Sequence, residues 1–146
     1  MLGLIQRVSS AAVTVQGETL GSIGSGILLL LGVQKHDTEA EAEKLTHRVL
    51  SYRIFPDEKG HMNLSLKDVG GDLLVVSQFT LAADTHKGLR PSFSSAAAPE
   101  MAEQLYEYFL ECARRDCSGT VSSGSFGADM QVQLTNDGPV TFLLNV

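Results

Sequence analysis

Apolar and polar positions along the chain change period several times, and the changes mark its elements. Leu2 to Val8 and Ala11 to Gln16 are short runs with strand character; in the second, Val13 and Val15 share one face and Ala12 and Thr14 the other. Gly17 and the series Gly21, Gly24, Gly26 then punctuate a hairpin. The run Ile27 to Val33 is apolar without a break, which predicts a strand covered on both faces at the centre of a sheet. Leu73-Leu74-Val75-Val76 is a second such run, and it delivers Ser77-Gln78-Phe79-Thr80 to its C-terminal end.

Between these runs the period lengthens. Thr38 and Glu41 have the spacing of a capping box, and Ala42, Leu45, Val49 and Tyr52 then recur at three, four and three residues, the stripe of an amphipathic helix. Pro99 opens a second helix with Glu100 and Glu103 near its start, Ala102, Leu105, Phe109 and Ala113 on one face, and Arg114 and Arg115 near its end. Turns are expected at Pro56 to Gly60 and at Gly70-Gly71, and residues 82–98 read as a long ordered loop. Two short strands close the chain: Met130, Val132 and Leu134 alternate with polar residues, as do Val140, Phe142, Leu144 and Val146. Asn136-Asp137-Gly138-Pro139 lies between them. Its Asp-Gly pair is a strong hairpin signal, whereas a cis Gly-Pro bond is the sharper alternative.

About eight strand candidates and two main helices, not in strict alternation, give an α+β class with a largely antiparallel, curved or barrel-like sheet. A second copy covering the exposed strands would make the protein dimeric. At 146 residues and 43% hydrophobic, the chain suits one domain spanning 1–146. No window reaches the roughly 18 apolar residues of a membrane span, and the first residues lack the pattern of a signal peptide, so no membrane partner and a cytoplasmic location are expected. Cys112 and Cys117 fit neither a disulfide framework nor a zinc pattern, and are read as reduced thiols near a helix end.

The chemistry is notable for what it lacks. There is no Gly-x-Ser-x-Gly elbow, His-Glu-x-x-His, phosphate-binding loop or dinucleotide fingerprint, and the four histidines are scattered, so neither metal nor cofactor is expected. Ser77 and Thr80 have no base beside them in sequence, which favours capping over a covalent role. Gln78 and nearby backbone N–H groups suit the binding of a carbonyl or a developing oxyanion. Lys87 and Arg90 are either solvated charges or a local phosphate grip. Phe126, between Gly124 and Met130, is either core or a floor for a nucleobase, and Arg7 is either a surface charge or a donor locking a nearby carbonyl. The net charge of −6 disfavours nucleic-acid binding through a broad basic face, so any such contact must be local.

Taken in order, Gln6-Arg7-Val8, Ser77-Gln78-Phe79-Thr80-Leu81, Gly88 to Phe93, Phe126-Gly127-Ala128 and Asn136 to Thr141 resemble the D-aminoacyl-tRNA deacylases over the whole chain. Leu89 is a departure, since a polar residue is associated with that place in the family. The resemblance implies a homodimer with active sites at the subunit interface, where a cis Gly138-Pro139 from one subunit enters the pocket of the other and Arg7 holds that motif. It implies that Ser77, Gln78, Phe126, Met130 and Lys87 bind the aminoacyl group and the terminal adenosine of tRNA, and that the backbone at Phe79 and Thr80 supplies oxyanion donors. The implied reaction is hydrolysis of D-aminoacyl-tRNA, and of mischarged glycyl-tRNA, with L-amino acids excluded sterically. The substrate's own 2′-hydroxyl would assist, with no metal or cofactor.

Overall fold

The computed structural model describes residues 1–86 and 88–146. Its organising strand is β1 (Leu2–Val15), which pairs antiparallel with β2 (Glu18–Ile23) and β3 (Gly26–Gly32) on one side and with the last strand on the other. What reads in sequence as two strands is this one element. Val8 pairs with Asn136 and Ser10 with Thr135, so Ser9 is an extra residue, a bulge that bends the strand without ending it.

After β3 come α1 (Glu39–Ser51), the short pair β4 (Phe55–Pro56) and β5 (Met62–Leu64), a single-turn α2 (Leu66–Val69), and β6 (Asp72–Ser77). A 3-10 turn at Phe79–Ala82 follows, and then α3 (Pro99–Asp116), β7 (Val121–Ser123) and β8 (Gln131–Asn145). The main sheet runs β2-β1-β3-β6-β7, with β8 on the free side of β1. Its pairings are antiparallel around β1 and parallel from β3 to β6 and from β6 to β7. The sheet curls until β2 leans on β7, where Ser122 Oγ donates to the Ser22 carbonyl at 3.3 Å. The result is an α+β fold around a nearly closed, barrel-like mixed sheet.

Both uninterrupted apolar runs lie at the centre of the sheet, as their composition requires. Ile27, Leu29 and Leu31 of β3 and Leu73 and Val75 of β6 face the large core under α1 and α3, with Leu45, Val49, Tyr106 and Phe109. The alternate residues Leu28, Leu74 and Val76 face a smaller core inside the curl, with Val8, Val13 and Ile23. The loop expected over 82–98 is tied down within its described part by paired backbone bonds between Asp84 and Ser92 and by Lys35 N–H donating to the Ser95 carbonyl at 3.1 Å. Cys112 is buried in α3 and Cys117 caps its end, both as free thiols. Among the described residues no helix is long and apolar enough to cross a membrane.

The helix starts follow their sequence signals. Thr38 accepts from Ala40 N–H, while the Glu41 carboxylate accepts from Thr38 N–H at 2.8 Å and Thr38 Oγ1 at 2.6 Å. Those bonds stabilise the ionised form and hold the Glu41 carboxyl below its ordinary range. Because the folded value is depressed, its contribution is present above the ordinary carboxylate pKa and is lost as the pH falls through the lowered value. Thr38→Ala should therefore lower stability near pH 7 and flatten the acid limb of the stability profile; urea unfolding between pH 3 and 7 checks both.

Candidate active site

The site is built where β6 ends. Gln78 N–H donates to the Leu31 carbonyl at 2.7 Å, carrying the parallel ladder one residue past Ser77, and the chain then tightens into the 3-10 turn. Leu81 N–H donates to the Gln78 carbonyl, the first bond closing that turn, so the N–H groups of Phe79 and Thr80 precede its internal bonding. The turn packs closely over β3. A Cβ on Gly32 would lie 3.0 Å from Leu81 Cβ and 3.2 Å from the Gln78 carbonyl oxygen, tighter than side chains normally pack.

A cavity of about 470 Å³ opens here. Ser77, Gln78 and Phe79 line it from the strand end, Pro99 and Ala102 from the start of α3, and Phe126 and Met130 from the segment between β7 and β8. The Phe126 ring leans on Tyr106 at 5.8 Å between centroids. Tyr106 is buried, and its hydroxyl donates to the Val75 carbonyl at 3.1 Å, so the wall behind Phe126 is tied to β6. Burial, reinforced by Glu107, pushes this phenol up to about 12, keeping it a neutral donor at physiological pH. The Phe79 ring instead stands at the rim, 60% exposed and 5.0 Å from the ring of Phe93.

The structure thus brings together Ser77, Gln78, Phe79, Phe126 and Met130. Thr80 is exposed beside them rather than part of the lining, and its hydroxyl accepts from Gln78 Nε2 at 2.5 Å, so an amide and not a base is its partner. Arg90 is exposed in the loop, and Lys87 lies outside the described residues. The contribution of α3 has no signal in the sequence: the spacing of Ala102 and Leu105 announces a helix, but only the tertiary fold sets its first turn against β6. Among the described residues no three His, Cys, Asp or Glu side chains gather as a metal cluster.

Gly138 and Pro139 do not line this cavity. Nor do they form a hairpin, because both halves of the terminal segment pair antiparallel with β1, Gln131 with Thr14 at one end and Asn145 with Leu2 at the other. A hairpin would turn the chain back on itself, whereas here the terminal segment is one strand carrying a bulge. Thr141 pairs with Gln6 and Asn136 with Val8, leaving Asp137 to Val140 opposite the single residue Arg7. The Gly138-Pro139 bond is cis, and both residues are exposed.

This excursion is braced from inside. Arg7, with 13% of its side chain exposed, donates from Nε to the Asp137 carbonyl at 2.8 Å and from Nη1 to the Ile54 carbonyl at 2.6 Å, with the Asp137 carboxylate 3.5 Å away. Asn136 closes the loop from the other side: its Oδ1 accepts from Val140 N–H at 2.7 Å and its Nδ2 donates to Thr141 Oγ1 at 3.0 Å. A Cβ on Gly138 would lie 2.5 Å from the Val140 nitrogen and 2.6 Å from its Cγ2, so only glycine fits without displacing the bulge.

The family model described as D-Tyr-tRNA(Tyr) deacylase matches residues 4–145. Proteins named D-aminoacyl-tRNA deacylase from Pseudoalteromonas translucida (strain TAC 125) and Haemophilus influenzae (strain 86-028NP) are 62% identical over 146 residues and 61% identical over 147 residues, each covering 100% of both chains. The solved structure of a protein named c-Myc DNA Unwinding Element Binding Protein is 43% identical with a TM-score of 0.95, covering 100% of this chain and 99% of that one. A probable eukaryotic D-amino acid tRNA deacylase shares the fold at 18% identity and a TM-score of 0.85, over 99% of this chain and 98% of its own. The chain belongs to the D-Tyr-tRNA(Tyr) deacylase family, hydrolases acting on ester bonds.

Since Arg7 bridges the bulge and the Ile54 carbonyl, Arg7→Met should lower the unfolding free energy by about 1.5–3 kcal/mol, the range for hydrogen bonds from a charged group. Urea titration reads the loss, and the amide resonances of Asp137 to Val140 should move with it. Unmoved resonances would show that the bulge holds its form without the guanidinium.

Proposed function

We propose that the protein hydrolyses the ester joining a D-amino acid to the terminal adenosine of tRNA, releasing the free amino acid. The observation that carries this reading, beside the family, is the pairing of an open pocket at the end of β6 with an exposed, internally braced Gly138-Pro139 bulge that its own chain leaves outside that pocket. In a homodimer the bulge of one copy would close the pocket of the other. Unpaired strand edges invite such association, and among the described residues β8 pairs on one side alone.

In this arrangement Phe126 and Met130 form the floor for the adenosine, with Ser77 and Gln78 beside the aminoacyl group and Lys87 on the nearby phosphate. The rigid Gly-Pro takes the α-amino group on its carbonyls and fills the space an L side chain needs. D side chains and the hydrogen of glycine avoid that clash, so glycyl-tRNA is a second substrate. Rejection by a built clash discriminates more sharply than attraction alone.

Water attacks the ester carbonyl, assisted by the neighbouring 2′-hydroxyl of the ribose, and the backbone N–H groups of Phe79 and Thr80 receive the charge that develops on oxygen. No acyl-enzyme forms, since the Thr80 hydroxyl is engaged with the Gln78 amide and among the described residues no base is hydrogen-bonded to it. Residues 1–146 act as one catalytic domain in the cytoplasm, with no metal or cofactor. The 43% identical protein is named for binding DNA, but a net charge of −6 lends no support to binding along a duplex by this chain.

Hydrolysis of D-tyrosyl-tRNA against L-tyrosyl-tRNA, with a chelator in a parallel reaction, tests the reading. Loss of the D ester alone, unaffected by the chelator, is expected; equal loss of both would end the steric account, and loss of neither would end the deacylase reading. Gly138→Ala, which displaces the bulge, should cut kcat/KM for the D ester about a hundredfold, the scale on which an ångström of misplacement acts. Steady-state kinetics on a variant of unchanged unfolding midpoint would establish that.

A further inference from the structure

A second cavity, of about 420 Å³, adjoins the site. The segment leading into β8 is the wall between the two: Ala128 and Asp129 line both cavities, Met130 and Val132 face the pocket at the end of β6, and Gln131 faces the second cavity. Its far side is the β1–β2 turn, Val15, Gln16 and Gly17. That turn has two central residues, Gln16 at φ 51° and Gly17 at φ 83°, as the mirror-image hairpin turns require. Asn or Gly suits the first of these positions best, and glutamine is an uncommon occupant of the left-handed region. Gln16 lines the cavity from this turn and Gln131 from the start of β8.

Among the described residues the lining contains no cation. It offers the Asp129 carboxylate and two amides, a set suited to the polar edge of a nucleobase and not to a phosphate. A carboxylate accepts from the exocyclic amino group of cytosine, and an amide can both donate and accept. The volume falls in the range of about 300–1,000 Å³ typical of small-ligand sites.

We infer that this cavity is a subsite for the cytidine that precedes the terminal adenosine of tRNA, with Asp129, Gln16 and Gln131 reading its base edge. The inference rests on the adenosine lying in the neighbouring pocket, as proposed above. Ala128 and Asp129 line both cavities, so a strand that leaves that pocket over them enters this one. Recognition through base edges in unpaired RNA also suits an acidic protein, since it draws on hydrogen bonds and not on phosphate neutralisation.

The test uses three D-tyrosyl esters, of adenosine, of the trinucleotide CpCpA and of CpUpA. Uracil presents an acceptor where cytosine presents its amino donor, so the expected kcat/KM for CpUpA is about tenfold below that for CpCpA, the scale of one lost base-edge contact. In the double variant Gln16→Asn, Gln131→Ala, the preference for CpCpA over adenosine should shrink towards unity, and Asn keeps the turn. Equal turnover of all three esters by the unaltered protein would overturn the subsite while leaving the deacylase reading in place. A variant that keeps the full CpCpA preference would overturn the assignment to Gln16 and Gln131. Failure to cleave any of the three while D-tyrosyl-tRNA is still cleaved would overturn the subsite, and failure on D-tyrosyl-tRNA as well would overturn the deacylase reading itself.

Discussion

The pairing of β8 with β1 on both sides of Arg7 is the constraint from which the most unusual part of the structure follows. Antiparallel ladders from Thr14–Gln131 to Val8–Asn136, and again from Gln6–Thr141 to Leu2–Asn145, fix the two ends of the excursion within one strand. Four residues must then pass where the partner strand spends one. The gap they leave is filled by the Arg7 guanidinium, which ties the Asp137 carbonyl to that of Ile54. Asn136 spans the base of the loop from Val140 to Thr141. Rigidity at an exposed place is thereby obtained from the ladder and from polar bonds. Such preorganisation removes an ordering cost that would otherwise fall on binding.

The pocket follows from a different constraint. β3 and β6 are apolar on both faces because one face meets the helix-side core and the other the core inside the curl. Polar side chains therefore collect where β6 ends, and Ser77 to Thr80 emerge together. Parallel pairing of β3 with β6 puts that end beside the end of β3, and the 3-10 turn closes over Gly32. Carboxyl ends of parallel strands are common places for ligand sites for the same reason: the ladder stops and its groups turn outward.

The same logic explains what is legible in the sequence. Ile27 to Val33 and Leu73 to Val76 announce themselves by unbroken hydrophobicity, and α1 and α3 by period and caps, because these signals are local. The break in the chain at Ser9 and the hairpin reading of Asn136 to Pro139 are wrong for a single physical reason, while the cis Gly138-Pro139 that the resemblance implies is present. A bulge and a turn both break alternation, and only the partner strand distinguishes them. Ser77, Gln78, Phe79, Phe126 and Met130 are grouped by motif resemblance and do converge, whereas the Pro99–Ala102 wall depends on how α3 docks. The parallel pairing of β3 with β6 is also out of reach, since a run buried on both faces looks alike in either orientation, and β7 is only three residues long.

The charge balance then limits how such a site can meet tRNA. A net charge of −6 disfavours drawing most of the affinity from phosphates, and among the described residues the lining of the pocket and of the neighbouring cavity is aromatic, aliphatic or amide in character, apart from hydroxyl and acid groups. On the proposed reading, recognition concentrates on the unpaired end of the molecule, where bases are free to stack and to present their edges. Binding of that kind would be readily reversible, which suits an enzyme that has to release correctly charged molecules. On the proposed reading, discrimination is supplied instead at the reacting carbon, where the Gly-Pro of a second copy obstructs one hand of the substrate and leaves the other in place.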